Sequence, residues 1–105
     1  MNKIALAINS TSVLALGDNF YDSGISSNEN DKRFSETFET VYTGDNLQTP
    51  WYVIAGNHDH EGNVTAQIAY TNHSTRWTFP SEFYTQSFNS TDGVTMDIVF
   101  IDTSK

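Results

Sequence analysis

The chain has 105 residues and a formal net charge of −8, from 5 Lys and Arg against 13 Asp and Glu. Hydrophobic residues at 37% and aromatics at 13% exclude a disordered chain, and no apolar run approaches the ~20 residues of a membrane-spanning helix. The acidic balance argues against a binder of the nucleic-acid backbone, which needs a basic face, and against anionic small substrates unless a metal supplies the positive charge.

In chain order, Lys3 to Asn9 places Ile4 and Ile8 four apart, the spacing of one face of a short helix. Val13-Leu14-Ala15-Leu16 is a continuous apolar run ending at Gly17-Asp18, which predicts a strand buried on both faces. Gly17 to Asn30 reads as a polar loop. Asp31 to Val41 predicts a helix capped by Asn30 or Asp31, with Phe34, Phe38 and Val41 or Tyr42 as its apolar stripe. Gly44 to Pro50 is a connection. Trp51-Tyr52-Val53-Ile54-Ala55 is a second buried strand that again ends at a glycine, Gly56. Asn63 is expected to cap a further helix carrying Val64, Gln67, Ile68 and Ala69, and Pro80 closes an irregular segment after it. Phe83 to Asn89 and Val94 to Asp102 read as a β-hairpin about Thr91-Asp92-Gly93, with Val94, Met96, Ile98 and Phe100 sharing a face. This order favours an α/β layered fold, parallel in its first half and antiparallel at its end.

The absence of cysteine excludes disulfide frameworks, thiolate metal sites and cysteine nucleophiles. Asn-x-Ser/Thr sequons at Asn9, Asn63, Asn72 and Asn89 are candidate glycosylation sites and point to the secretory pathway, although a chain rich in Asn, Ser and Thr also makes sequons by chance. Met1 to Ser10 lacks the ~7–15-residue hydrophobic region of a signal peptide and reads as part of an amphipathic helix.

Two segments carry the candidate chemistry: Gly17-Asp18-Asn19-Phe20-Tyr21 and Gly56-Asn57-His58-Asp59-His60. Each follows an expected buried strand, and in open α/β sheets ligands bind off the carboxyl ends of strands. The residue types suit a hard-metal site. Asp18 offers a carboxylate able to bridge two cations, Asn57 an amide oxygen, and Tyr21 a phenol three residues past Asp18. A phenol ionises near pH ~10, so only a strong Lewis acid such as Fe(III) draws it into coordination at neutral or acidic pH. His58 suits an acid/base role in the same cleft. Each segment seen alone also reads as an ordinary turn or polar loop. His73 reads as a surface residue, Trp51 and Trp77 as anchors, and Asp102 as a polar strand end.

Together these motifs resemble the metallophosphoesterase (calcineurin-like) superfamily, and more narrowly its mammalian-type purple acid phosphatases. The superfamily motifs stand here as Gly17-Asp18-Asn19-Phe20-Tyr21 and Gly56-Asn57-His58-Asp59. Similar stretches run through LALGDNFY, NDKRFSETFETVY, PWYVIAGNHDHEGNVTAQIAY and RWTFPSEFY. The resemblance implies part of a four-layer α/β/β/α sandwich, with residues 1–105 a partial domain. It implies hydrolysis of phosphate monoesters, on small molecules or phosphoproteins, at a pair of Fe(III) and a divalent iron, zinc or manganese. It makes Asp18 the bridging ligand, Tyr21 the phenolate on Fe(III), Asn57 a ligand of the divalent ion, and His58 a phosphate contact and proton donor. It also implies a secreted or lysosomal setting, without nucleic acid or a membrane span.

The family's first aspartate motif is expected upstream of these residues, and its histidine ligands downstream. The isolated chain is therefore expected to bind metal poorly, to show little activity and to be unstable. Two alternatives remain open. One is another metallophosphoesterase, such as a phosphodiesterase or nucleotidase, branches that generally lack a tyrosine at the position of Tyr21. The other is a non-catalytic glycoprotein module of the same fold.

Overall fold

A computed structural model describes residues 1–104. Helix α1 (Asn2–Ile8) leads to strand β1 (Val13–Leu16), and a long loop follows. A π-helical turn (Ser35–Glu39) and a 3₁₀ turn (Asp45–Leu47) then lead to β2 (Trp51–Ile54). The short helix α2 (Asn57–His60), helix α3 (Val64–Ala69) and a 3₁₀ turn (Tyr70–Asn72) come next. Strands β3 (Trp77–Thr78), β4 (Phe83–Asn89) and β5 (Thr95–Ile101) complete the order. β1 and β3 both pair in parallel with β2, giving a three-stranded sheet β1-β2-β3. β4 and β5 pair antiparallel, from Phe83 opposite Ile101 to Asn89 opposite Thr95. The α/β reading and both modes of pairing are observed.

β2 is the strand with both faces covered. On one side, Trp51 meets Phe38 edge-on at 4.9 Å between ring centroids, within a layer that also holds Phe20, Phe34 and Trp77. On the other, Tyr52 meets Phe88 and Phe100 of the hairpin. The Tyr84 hydroxyl donates to the Val53 carbonyl at 2.7 Å, joining the two sheets through a phenol whose pKa burial pushes well above its ordinary value.

Five expectations need correction. β1 is not covered on both faces: Val13 and Ala15 pack on the core, but Leu14 is 40% and Leu16 73% exposed. In α1 the buried residue is Ala5, while Ile4 and Ile8 face outward. The helix expected over Asp31–Val41 is π-helical at its centre. The Ser35 carbonyl accepts both the amide of Thr40 at 3.0 Å, the five-residue span of a π-turn, and its hydroxyl at 2.9 Å, so its two lone pairs are both used in the wide turn. The segment before Pro80 contains β3, whose two residues are too few to show a period. Other expectations are observed. Asn63 caps α3 by accepting the Ala66 amide at 3.2 Å, and Phe100 and Ile98 turn inward on the hairpin. Val94 and Met96, expected on that face, are exposed.

A buried cation lies behind the parallel sheet. Arg76, 4% exposed, donates to the Glu39 carboxylate at 2.8 Å and to the carbonyls of Tyr42 and Leu47 at 2.6 and 2.9 Å. Its guanidinium also lies 4.6 Å from the Phe38 ring centroid. The same carboxylate accepts the hydroxyls of Tyr70 and Ser74.

Candidate metal centre

The register of β1 on β2 puts Leu16 opposite Ile54, so Gly17-Asp18 and Ala55-Gly56 leave the sheet side by side. Backbone meets backbone here. A Cβ on Gly17, whose φ is 106°, would lie 3.0 Å from the Gly56 Cα. A Cβ on Gly56 would lie 2.4 Å from both the amide nitrogen and the Oδ1 of Asp18. Asp18 itself has φ of 51°, a left-handed conformation that non-glycine residues adopt mainly where surrounding structure enforces it.

Three of the four expected site residues meet. The Asp18 carboxylate accepts the His58 amide at 3.1 Å through Oδ1 and the Tyr21 hydroxyl at 3.3 Å through Oδ2. The Tyr21 and His58 rings lie 4.9 Å apart. Asn57 is the exposed first residue of α2, immediately before His58. His58 is fixed by Nδ1, which donates to the Asp22 carbonyl at 2.5 Å and so leaves Nε2 as the other ring nitrogen. That contact, opposed by burial and aided by the Asp18 charge, raises the His58 pKa above its ordinary value. The Asp18 charge is likewise the main cause that raises the Tyr21 pKa, so in the metal-free site the phenol keeps its proton. Carboxylate, phenol and amide are all oxygen donors, and the set fits a hard cation.

The sequence reading missed the groups that hold these loops together. Asp59, fully buried, accepts the Asn19 and Phe20 amides from one loop and the Gly56 amide from the other. Gln67 of α3, also fully buried, donates to Asp59 at 3.0 Å and accepts the Asn19 side-chain amide at 3.2 Å. The remaining donor on Asn19 reaches the Ile54 carbonyl at 3.0 Å. Arg33 closes the outer loop on the Tyr21 and Gly24 carbonyls. A signal was present for Asp59: it stands three residues after Gly56, the spacing from which an acidic side chain reaches back to a helix-capping amide. Nothing comparable marks Arg33.

A second cluster lies at the other end of α2. His60 Nε2 and Asp102 Oδ2 are 2.5 Å apart, and Glu82 completes a group whose ligand atoms lie within 4.8 Å of one another. The pair ties α2 to the end of β5. Asp102 is thus a buried strand-end residue with a partner, while His73 is exposed and Trp51 and Trp77 are core anchors.

The family model of the calcineurin-like phosphoesterases matches residues 2–102. The chain belongs to this family. Tartrate-resistant acid phosphatase type 5 of Oryctolagus cuniculus is 50% identical over 105 residues, which are 98% of this chain and 32% of that protein. The human protein of the same name is 54% identical over 93 residues, 87% of this chain and 28% of its own length. Purple acid phosphatase 7 of Arabidopsis thaliana is 40% identical over 94 residues, 88% of this chain and 26% of its own. A solved structure described as GAP50, the anchor in the inner membrane complex of Plasmodium, superposes with a TM-score of 0.79 at 22% identity, over 97% of this chain and 35% of that one. The chain therefore spans about a third or less of the length of the relatives it matches. As a calcineurin-like phosphoesterase, it shares their α/β fold. No helix among the described residues is long and apolar enough to cross a membrane.

Proposed function

We propose that this chain forms one side of the metal centre of a purple acid phosphatase that hydrolyses phosphate monoesters. The observation that carries the reading is the Tyr21 hydroxyl 3.3 Å from an Asp18 carboxylate that also accepts the His58 amide. Asp18 and Tyr21 would hold Fe(III), and Asp18 and Asn57 a divalent iron, zinc or manganese ion. When bound, the pair supplies Lewis-acid charge for the phosphate and for the attacking water. That charge offsets locally the acidic balance that otherwise disfavours an anionic substrate.

The chain's own residues supply orientation and a proton. Asp18 is held by the His58 amide in a left-handed backbone, so its carboxylate is placed before a cation arrives. His58, with Nδ1 committed to the Asp22 carbonyl, holds the transferable proton at Nε2, and its raised pKa favours the charged form in acid. It would give that proton to the departing alkoxide. All four sequon asparagines, Asn9, Asn63, Asn72 and Asn89, are exposed, which supports a secreted or lysosomal setting and glycan attachment. The substrates fitting this chemistry are phosphorylated small molecules or phosphoproteins.

The test is made in the full-length protein that carries these residues, loaded with iron and zinc. Tyr21→Phe should abolish the visible ferric–phenolate band. His58→Ala should lower turnover of a phenyl phosphate by ~10²–10⁴-fold, the usual worth of a general acid, with metal content unchanged. An unchanged band in the tyrosine variant removes Tyr21 from the iron. Failure of the unaltered protein to take up either metal would favour the non-catalytic module.

A further inference from the structure

A buried residue outside the candidate ligands joins the two loops that carry them. Asp59 is fully buried, and every hydrogen-bond partner of its carboxylate is an N–H donor. Oδ1 accepts the amides of Asn19 and Phe20 and the side chain of Gln67, at 3.1, 3.1 and 3.0 Å. Oδ2 accepts the Asn19 amide and the Gly56 amide, each at 2.9 Å. Asn19 and Phe20 directly follow Asp18, and Gly56 directly precedes Asn57. One rigid group therefore spans the two loops at the residues adjoining their candidate ligands. A single carboxylate has a fixed separation between its oxygens, so it fixes the separation of the amides that meet it.

We infer that Asp59 is a positioning residue that sets the spacing between Asp18 and Asn57, and hence the affinity of the divalent position more than that of the ferric one. The inference rests on the metal-centre reading above. Its asymmetry follows from the donor count. A carboxamide at this position keeps one acceptor oxygen and gains two N–H donors. Placed with its oxygen at the Oδ1 position, it keeps Phe20, Gln67 and one of the two bonds from Asn19, but turns an NH₂ toward the Gly56 amide, whose one bond to this side chain is at Oδ2. Donor then faces donor, and the loop leading to Asn57 moves away. Asp18 and Tyr21 sit in one loop and keep their mutual geometry.

The experiment compares Asp59→Asn and Asp59→Glu with the unaltered full-length protein in three measurements. They are zinc affinity by competition with a chelating dye, the ferric–phenolate absorption band, and hydrogen exchange of the Gly56 amide in the metal-free protein. For Asp59→Asn we expect zinc binding weakened ~10–100-fold, the usual cost of losing a partner behind the ligands. The ferric band is retained, and the Gly56 amide exchanges faster than those of Asn19 and Phe20. Asp59→Glu keeps both oxygens and should restore Gly56 protection in part, with zinc affinity between the other two. If Asp59→Asn does not fold, Asp59→Glu carries the same expected split between zinc and ferric binding. Equal loss of both metals, or no change in either, overturns the inference. Absence of a Tyr21-dependent band in the unaltered protein would instead overturn the metal-centre reading.

Discussion

At the scale of single residues, the candidate centre depends on positions that carry no reactive group. Gly56 lies against Asp18 so closely that a methyl group would sit 2.4 Å from that residue's amide nitrogen and Oδ1. Gly56→Ala must therefore displace the carboxylate, and we expect loss of metal binding to exceed loss of stability. Titration with Fe(III) beside a thermal melt measures both, and a variant that keeps its ferric band sinks the expectation. Asp18, Tyr21, Asn57 and His58 stand out in the sequence as candidates because their types are unusual together and each group follows an apolar run. Asn19 and Gln67 do not, because their role lies in which groups they face, and for Asp59 the spacing after Gly56 marks a helix cap but not the amides of Asn19 and Phe20 that it also holds.

At the scale of elements, the π-turn at Ser35–Glu39 is placed in part by charge. The wide turn points Phe38 at Trp51 and Trp77 and delivers Glu39 to Arg76, Tyr70 and Ser74. Burial acts to raise the Glu39 pKa, but the hydrogen bonds from Tyr70, Ser74 and Arg76 outweigh it, and the net shift is downward. A group whose folded pKa is lowered adds stability at pH above its unfolded value, and that stability is lost as the pH falls through the folded value. The chain should therefore lose stability on acidification below the ordinary glutamate range, and Glu39→Gln should flatten that part of the profile. At neutral pH the same substitution leaves Arg76 buried without its anion, and we expect a cost of roughly 3 kcal/mol, the low end for breaking a buried pair because Glu39 is partly exposed. Urea unfolding from pH 3 to 7 measures both effects. Parallel profiles for the two proteins would show that the pair contributes nothing pH-dependent. The sequence predicted a helix here from the spacing of Phe34 and Phe38. It did not predict the widening, because a hydroxyl and an amide of one threonine sharing one carbonyl leave no periodic trace.

At the scale of the whole molecule, one side of each sheet carries uncovered apolar side chains. Phe83, Val99 and Ile101 form a patch on the outer face of the hairpin, with Phe83 directly opposite Ile101, and Leu14 and Leu16 face outward from β1. β1 is also an edge strand among the described residues. Such faces and edges drive association. The 105-residue chain is accordingly expected to self-associate, and Leu16→Lys with Val99→Lys to reduce this. Sedimentation velocity across concentration tests it, and a monomeric unaltered chain with a sharp thermal transition contradicts it. The run Val13–Leu16 could not by itself reveal this, since an apolar strand reads alike whether one face is covered or two. The parallel ladder that joins β1 to β2 has one further consequence. Its four rungs, from Val13 beside Trp51 to Leu16 beside Ile54, carry no charged side chain, yet they fix how far Asp18 stands from Gly56. A slip of one rung would move the two loops apart by ~3.3 Å and turn each inward residue outward. The alignment of the reactive groups is thus policed by the hydrophobic code of the sheet. A copy assembled out of step would expose its core as well as misalign its candidate ligands, so a single register error costs folding and chemistry together.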